Sequence, residues 1–420
     1  MSSGEMSQVL EVIGKKARRA SAALAVLPAD AKSGCLTVMA EALISRQSDI
    51  IAANEKDIAA ARENGMDAAK IDRLMLNDAR VKAMADGLRQ VASQSDPVGK
   101  ILSENIRPNG LKITKISVPF GVIGIIYEAR PNVTADAAGI CIKAGNAVIL
   151  RGGKEAFYSN SMIAAILNES AAQCGLPDGV VQLIPWTDRE AVKLMLKMDK
   201  YIDLVIPRGG ESLIRTVVAE ATMPVLKHYK GVCHLFVDAR CDMKKAVDII
   251  VNAKCSRPAV CNALETLLID RAVLPEFASQ IADALRKKGV EMRGDSEFCA
   301  LVPDAVRAAE DDYYAEFLSL ILAVKTVDGV DDAVEHINTY GSRHSDGIIS
   351  NVEENIAYFT ANVDSSTVYV NASTRFTDGG EFGMGAEIGI STDKLHARGP
   401  MGADELTTYK YIVIGDGQIR

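Results

Sequence analysis

The sequence predicts an α/β protein with parallel sheets, and three observations lead to this fold class. Its 420 residues exceed what one simple core usually holds, which favours two or three domains. From residue 121 onwards, short apolar runs typical of buried strands alternate with helical segments, which is the pattern of right-handed βαβ units. Before that point, residues 6–95 place apolar and alanine side chains at helical spacing.

The individual elements follow from the same patterns. Residues 101–118 alternate apolar and polar side chains around a Pro-Asn-Gly turn at 108–110, which predicts a β-hairpin. A helix is expected over 132–144, directly after the first buried run. The expected strands are 121–128, 147–153, 180–185, 204–210, 234–239, 263–270, 320–328, 347–352 and 407–415.

Composition argues against several classes of function. The formal net charge of -8 leaves no basic excess to neutralise phosphates, so no nucleic-acid partner is expected. No apolar run is long enough for a membrane span, and the first residues lack the apolar core of a signal peptide. The eight cysteines show no framework spacing, so we expect reduced thiols, a cytoplasmic protein and no metal site.

The stretch SRPAVCNALETLLI, residues 256–269, contains the main candidate for catalysis. Cys261 precedes an apolar run that predicts a strand, and Lys254 and Arg257 would stabilise a thiolate there. A proline and Asn262 on either side of the thiol favour an exposed loop. The alternative is a buried cysteine at the head of a strand, and the local sequence alone favours it.

Two glycine pairs, Gly152-Gly153 and Gly209-Gly210, each end a predicted strand. Ligands of parallel sheets bind at the carboxyl ends of strands, where loops and helix N-termini meet. Tight turns without a ligand would give the same pattern, so the glycines alone leave both interpretations open.

Five long segments resemble the aldehyde dehydrogenase superfamily, and the resemblance extends over nearly the full chain. They are residues 107–156, 202–210, 257–269, 340–350 and 371–402. The likeness is greatest to members that reduce L-glutamyl 5-phosphate to L-glutamate 5-semialdehyde and phosphate, the second step of proline biosynthesis from glutamate. It implies a Rossmann-like cofactor domain, an α/β catalytic domain and a small β oligomerisation hairpin.

The resemblance also implies how the chain is divided. Residues 1–104 and 119–230 would form the cofactor domain, and 231–395 the catalytic domain. The hairpin at 105–118 and the segment 396–420 would serve oligomerisation, with the hairpin paired to the C-terminal strand of another subunit. A homo-oligomer is expected because an apolar hairpin is unstable alone.

Two catalytic residues follow from the resemblance. Cys261 would attack the acyl phosphate, displace phosphate and form a thioester that is then reduced. The family stabilises the oxyanion with the backbone N–H of the nucleophile and an asparagine side chain, and Asn132 is the matching residue. Asn132 also stands where a helix N-cap is expected, and the two roles are compatible.

One departure from the family pattern is informative. Hydrolytic members carry a glutamate that activates water against the thioester, whereas the matching segment here is LKHYKG, residues 226–231. Lys227 and His228 stand where that carboxylate would fall. Its absence fits a reductase, which must protect its thioester from water, and either residue would instead favour the phosphate leaving group.

The resemblance also identifies a nicotinamide cofactor. Members of the family bind the adenosine ribose after the second strand, where their glutamate repels a 2′-phosphate. The chain has Arg151, Gly152, Gly153 and Lys154 there, and the two cations suit the 2′-phosphate of NADPH/NADP+. The alternative is that Lys154 is only a solvated surface charge.

Three further residues match the cofactor contacts of the family. Gly209 and Gly210 match the turn that approaches the pyrophosphate. Glu316 matches a glutamate at the nicotinamide ribose, although Leu318 replaces the phenylalanine that usually follows it.

Four arginines in the matching segments are candidates for binding the substrate's phosphate and carboxylate. They are Arg130, Arg257, Arg343 and Arg375. The sequence does not rank them, except that Arg257 lies four residues before the nucleophile. Two rival functions remain, a CoA-acylating aldehyde dehydrogenase and a non-catalytic protein on the same fold, and association with a glutamate kinase is open.

Overall fold

The computed structural model of the protein describes residues 2–227 and 229–420. The helices are α1 (Ser3–Leu24), α2 (Ala29–Ser45), α3 (Gln47–Glu63), α4 (Ala68–Leu74), α5 (Asp78–Ser93), α6 (Val133–Lys143), α7 (Phe157–Gln173), α8 (Arg189–Met195), α9 (Glu211–Glu220), α10 (Met243–Cys255), α11 (Leu274–Arg286), α12 (Ser296–Leu301), α13 (Glu310–Tyr313), α14 (Gly329–Tyr340) and α15 (Glu353–Asn362).

The strands are β1 (Ile101–Ile106), β2 (Lys112–Pro119), β3 (Val122–Tyr127), β4 (Ala147–Gly152), β5 (Val181–Leu183), β6 (Leu204–Arg208), β7 (Cys233–Val237), β8 (Leu264–Asp270), β9 (Glu291–Gly294), β10 (Val306–Arg307), β11 (Ile321–Val327), β12 (Ser345–Ile349), β13 (Thr367–Val370), β14 (Ile390–Ser391), β15 (Gly399–Pro400) and β16 (Thr407–Ile414). This mixture of helices and parallel sheets confirms the predicted fold class.

The described residues form two compact units. The first contains the chain up to Lys227 together with Gly383–Gly389 and Pro400–Arg420, and the second contains 229–382 and Ile390–Gly399. The predicted hairpin and most of the C-terminal segment therefore belong to the first unit.

The first unit is organised around a parallel sheet with the strand order β5-β4-β3-β6. All six residues of β3 are buried, as expected for a strand covered on both faces by helices. Helices α1, α6 and α7 pack on this sheet. Because its strands are parallel, the turns after β3, β4 and β6 lie at one edge, and these turns contain both glycine pairs.

A separate antiparallel sheet of the first unit corrects one expectation. Strands β1 and β2 form the predicted hairpin, and β16 of the same chain pairs with β2 from Thr407 opposite Pro119 to Ile414 opposite Lys112. The expected pairing with the C-terminal strand of another subunit is therefore wrong for this strand. The hairpin finds its third strand within its own chain.

The second unit is built on a seven-stranded parallel sheet with the order β10-β9-β11-β8-β7-β12-β13. Successive side chains of a strand point to opposite faces of the sheet. Leu267 lies on the face that packs against α10 and α11, and Phe236 lies on the opposite face, against α14 and α15. The amino ends of β11, β8, β7 and β12 follow one another along one edge of the sheet. The four loops that precede them contain Glu316, Arg257 with Cys261, Gly231 and Arg343.

The predicted strands are present, with small differences at their ends. For example, β5 has three residues instead of the expected six, and the Ile184 N–H bonds to Leu150 O just beyond its end. None of the helices in the described part of the chain is long and apolar enough to cross a membrane.

Candidate active site

Cys261 lies in the turn between α10 and β8, at the amino end of a central strand of the second unit. The thiol residue is half-buried. Cys255, by contrast, is the last residue of α10, packs against the apolar core, and has its thiol pKa raised by burial. Of these two cysteines, the structure places Cys261 in the position suited to a nucleophile.

The backbone of Cys261 is held by two neighbours that the sequence did not single out. The buried thiol of Cys233, the first residue of β7, donates to the Cys261 carbonyl at 3.2 Å. Gly231 passes so close that a Cβ on it would lie 1.9 Å from the same carbonyl oxygen. Only glycine fits here, and no local sequence pattern marks that requirement.

Asn262 fastens the nucleophile's loop to the segment 374–377. Its side chain is 4% exposed and donates to the carbonyls of Thr377 at 2.8 Å and Arg375 at 3.3 Å. The Thr374 hydroxyl donates to the Asn262 carbonyl at 2.7 Å, and the Arg375 guanidinium donates to the Asn262 side-chain oxygen. Sequence reasoning used Asn262 only as a sign of a loop and missed this role.

Two of the four candidate arginines lie beside the nucleophile. Burial and then the charge of Arg257 lower the pKa of Arg375, whose guanidinium also interacts with the Cys261 thiol group. Arg375 Nε donates to the Ser256 hydroxyl at 3.2 Å, and Arg257 is exposed. The pair gives this end of the sheet a positive field suited to an anionic leaving group.

Glu316 lies in the same set of loops, and its predicted role at the nicotinamide ribose stays a prediction. Its carboxylate accepts the Gly231 N–H at 2.9 Å, and Gly231 in turn touches the Cys261 carbonyl. Leu318, where the family has phenylalanine, is 41% exposed and has a positive φ of 53°.

Arg343 takes part in a different cluster of the second unit. It precedes β12 with a φ of 62°, and its Nε lies 3.9 Å from the carboxylate of Asp364. Lys394 and Arg398 bind the same carboxylate at 2.5 Å and 2.9 Å, and mainly the Lys394 bond lowers the pKa of Asp364.

In the first unit, the glycine pairs lie where the sequence placed them, at the carboxyl ends of β4 and β6. Gly210 is the N-cap of α9, and its N–H donates to the carboxylate of Glu128 at 3.0 Å. A Cβ on Gly209 would lie 2.4 Å from that same carboxylate. An anion of the chain itself therefore sits at this helix N-terminus, which is the kind of position that phosphate groups use.

The two cations of the predicted 2′-phosphate site have different surroundings. Arg151 is 8% exposed and donates to the carbonyls of Thr187 at 2.6 Å and Asp188 at 3.2 Å, so its guanidinium holds the segment after β5. Burial lowers its pKa. Lys154 is exposed and opens the short 3₁₀ turn before α7. Of the two cations, Lys154 is the one available to a ligand.

Polar groups at the end of β4 fit a nucleotide cofactor. Asn160 is 1% exposed, and its Nδ2 has no hydrogen-bond partner in the described residues. A Cβ on Gly152 would lie 2.0 Å from that nitrogen, and one on Gly153 would lie 2.2 Å from Glu155 Oε2, which is also buried and unpartnered in the described chain. One donor and one acceptor beside two glycines suit a sugar with hydroxyl groups. Sequence reasoning stopped at Lys154 and missed both side chains.

Asn132 stands at the start of α6, but its side chain does not cap the helix. Its backbone is already helical, and Nδ2 donates to Asp136 at 2.9 Å, one turn along. Burial raises the pKa of Asp136 to about 6, and the bond from Asn132 opposes that rise. The N-cap alternative is therefore wrong, while the predicted oxyanion role of Asn132 stays a prediction. Arg130, the remaining candidate, is exposed.

Two further expectations were that the chain has no metal site and no water-activating glutamate. No group of acidic, histidine or cysteine side chains suited to a metal ion is found in residues 2–227 and 229–420. His228, one of the two residues that replace the water-activating glutamate, lies outside the described residues.

Comparisons with known proteins agree with this geometry. The model of the aldehyde dehydrogenase family matches residues 2–319. A γ-glutamyl phosphate reductase of Geobacter metallireducens is 54% identical over 99% of both chains, and one of Moorella thermoacetica is 53% identical over 99% of this chain and 100% of its own. The crystal structure of γ-glutamyl phosphate reductase from Thermotoga maritima superposes with a TM-score of 0.95 at 45% identity, covering 98% of this chain and 99% of that one.

The contact between residue 231 and the nucleophile's loop leads to a stability prediction. Replacing Gly231 with alanine should lower the free energy of unfolding by about 1–3 kcal/mol, the usual cost of overpacking, because the added carbon meets backbone atoms of Cys261. Thermal or urea unfolding followed by circular dichroism measures it.

Gly210 provides the matched control for that substitution. Its φ is -67° and nothing lies within 4 Å of the position of its Cβ, so Gly210→Ala should change stability by no more than about 0.5 kcal/mol. Equal unfolding midpoints for the two variants would show that the approach at residue 231 is not tight.

Proposed function

This chain belongs to the aldehyde dehydrogenase family, within its γ-glutamyl phosphate reductases, and we propose that it reduces L-glutamyl 5-phosphate with NADPH through a thioester on Cys261. The observation that carries the proposal is the half-buried Cys261 in a pinned turn, with Arg257 and Arg375 beside it. The product would be L-glutamate 5-semialdehyde, the second step of proline biosynthesis from glutamate. The second unit would do the chemistry and the first would hold the cofactor.

In the first half-reaction, the Cys261 thiolate attacks the acyl carbon of the substrate. The new C–S bond forms as the bond from that carbon to the phosphate oxygen breaks, and inorganic phosphate leaves with the electron pair. Arg257 and Arg375 stabilise the negative charge that gathers on the leaving group. The Cys261 backbone N–H and the Asn132 amide are the donors proposed for the oxyanion.

In the second half-reaction, the thioester is reduced to the aldehyde. The bound cofactor would supply a hydride, that is two electrons and a proton. The Cys261 sulfur then leaves as thiolate and is ready for the next acyl phosphate. Lys227 and His228 replace the glutamate that hydrolytic relatives use, so the chain brings no carboxylate at that position to activate water against the thioester.

The decisive experiment is the reverse reaction, phosphate-dependent reduction of NADP+ by glutamate 5-semialdehyde. Wild type should be active and Cys261→Ser should lose at least about 10⁴-fold, because no other thiol takes over a covalent step. The readout is NADPH absorbance with and without phosphate.

Cys255→Ser is the matched control for the nucleophile, since it removes a thiol six residues away and should keep near wild-type activity. Wild-type inactivity, or an equal loss in both variants, would contradict the assignment. Activity with coenzyme A in place of phosphate would favour the CoA-acylating rival.

The preference for NADPH rests on Lys154. This lysine is exposed, whereas the carboxylate of its neighbour Glu155 is turned against Gly153 and buried. Lys154→Ala should therefore lower kcat/KM for NADPH about tenfold or more and leave that for NADH unchanged, since a bond to a charged group contributes roughly 1.5–3 kcal/mol.

Lys193, an exposed lysine on α8 of the same unit, is the control substitution for Lys154. Lys193→Ala should leave the ratio of NADPH to NADH activity as it is in the wild type. An equal fall with both cofactors in Lys154→Ala would mean that this lysine does not read the 2′-phosphate.

We further propose that the sheet β1-β2-β16 binds a second copy of the chain. Its outer strands expose many apolar side chains, among them Ile101 at 66%, Tyr411 at 59% and Ile414 at 59%. Exposed apolar strands at a sheet edge are typical of association sites.

The cytoplasmic location and any contact with a glutamate kinase stay predictions.

Light scattering after size-exclusion chromatography tests this association. Tyr411→Lys with Val413→Lys places two charges on the apolar outer strand and should convert the oligomer to monomer. Val26→Lys, at a site that is 81% exposed outside this sheet, should not change the mass. A monomeric wild type would contradict the proposal.

A further inference from the structure

A buried ion pair flanks the nucleophile's loop, and the proposed reaction does not use it. Lys254 lies in the last turn of α10 and Glu265 is the second residue of β8, so the two stand on either side of Cys261 in the chain. Both side chains are 0% exposed, and Lys254 Nζ lies 2.5 Å from Glu265 Oε2. Burial raises the pKa of Glu265 to about 7 and lowers that of Lys254. Lys254 is therefore paired with Glu265 in the interior, and the expectation that it would stabilise the Cys261 thiolate is wrong.

A buried ion pair contributes little to stability compared with apolar residues of the same size, because removing both charges from water costs about as much as their attraction returns. A contribution to the free energy of unfolding is therefore a weak explanation for this ion pair. The contacts of Glu265 with the loop that carries Glu316 indicate a different role.

The second oxygen of Glu265 reaches the loop that carries Glu316. Glu265 Oε1 accepts the backbone N–H of Leu318 at 3.2 Å, and Leu318 has the unfavourable φ of 53°. Lys254 Nζ lies 5.9 Å from the centre of the Phe317 ring. The pair thus holds residues 317–318 in a conformation that the backbone would not choose alone.

The same loop returns to the nucleophile by a second route. The Glu316 carboxylate accepts the Gly231 N–H at 2.9 Å, and Gly231 lies against the Cys261 carbonyl. Cys261 is thereby linked to Glu316 on one side through Gly231. A second connection runs from the two ends of the Cys261 loop, where Lys254 and Glu265 lie, through the Leu318 N–H to the loop that carries Glu316. Both connections lie within the second unit.

We propose that Lys254 and Glu265 are positioning residues that fix Glu316 relative to Cys261. This inference rests on the proposed function, in which Glu316 binds the nicotinamide ribose and Cys261 carries the thioester. Attack by the thiolate needs only the Cys261 loop, whereas reduction of the thioester needs both loops in register. Loss of the link should therefore impair cofactor binding and reduction and spare the reactivity of the thiol.

The test replaces both charges at once, so that no lone buried charge remains. Lys254→Met with Glu265→Leu removes the pair and the acceptor for the Leu318 N–H. We expect an unfolding midpoint within a few degrees of wild type, and an iodoacetamide rate at Cys261 without cofactor within about twofold. We also expect a weaker Kd for NADPH, measured by fluorescence, and a kcat lower by about 100-fold.

Two companion variants sharpen the result. Lys254→Met with Glu265→Gln also removes both charges but keeps an oxygen for the Leu318 N–H, so it should recover most of the NADPH affinity and kcat. Lys254→Met with Glu265→Val guards against misfolding caused by the shape of leucine within β8. If both apolar variants fail to fold, the pair is a folding requirement and the proposal is wrong.

The remaining outcomes are equally decisive. Wild-type kcat and NADPH affinity in the Leu variant would overturn the proposal, as would a parallel fall of alkylation rate and unfolding midpoint. An inactive wild type would instead refute the proposed function. In that case the NADPH affinities of the variants would still report whether the pair acts on the Glu316 loop.

Discussion

The close approach of residue 231 to the Cys261 carbonyl is the constraint on which the catalytic unit depends. Strands β7 and β8 are parallel neighbours, and their register shifts at the first residue of β7. The chain entering β7 therefore passes directly over the peptide that follows the nucleophile, and a side chain there would overlap Cys261. Glycine permits this approach, and in the resulting position its N–H donates to Glu316 at 2.9 Å. Three loops meet at this glycine.

This arrangement also explains how an acidic chain handles anions. The net charge of -8 opposes a phosphorylated substrate at long range, so attraction must come from local groups. Beside Cys261, the charges of Lys254 and Glu265 compensate each other in the interior. Arg257 and Arg375 stand close enough for one to lower the pKa of the other. The positive charge is thereby concentrated on the two arginines next to the thiol.

Much of the fold followed from the sequence, because buried parallel strands are nearly continuous apolar runs and their turns contain glycine pairs. Arg257, Cys261 and Glu316 lie in loops before neighbouring parallel strands, which share one edge of the sheet. Arg375 follows β13 instead and joins them through its bonds to Ser256 and Asn262, which the sequence pattern does not indicate. The sequence could not reveal that Arg151 is buried against backbone carbonyls. The local sequence around an arginine at a strand end is the same whether its guanidinium binds a ligand or the protein's own backbone. Gly231 and Glu265 were missed for a related reason. Their importance lies in contacts with residues far away in the chain.

Glu128 shows what ligand binding would require of the first unit. Its carboxylate accepts the Gly210 N–H at the N-terminus of α9, where the partial positive charge of the helix favours an anion. A phosphate that uses this N–H must displace Glu128, and Glu128 is exposed, so its carboxylate has water available when it leaves. Binding then exchanges one anion for another at the same donor. The net binding free energy at this N–H is the difference between its bond to the phosphate and its bond to Glu128. The other ligand contacts, around Gly153 and Lys154, therefore decide the affinity.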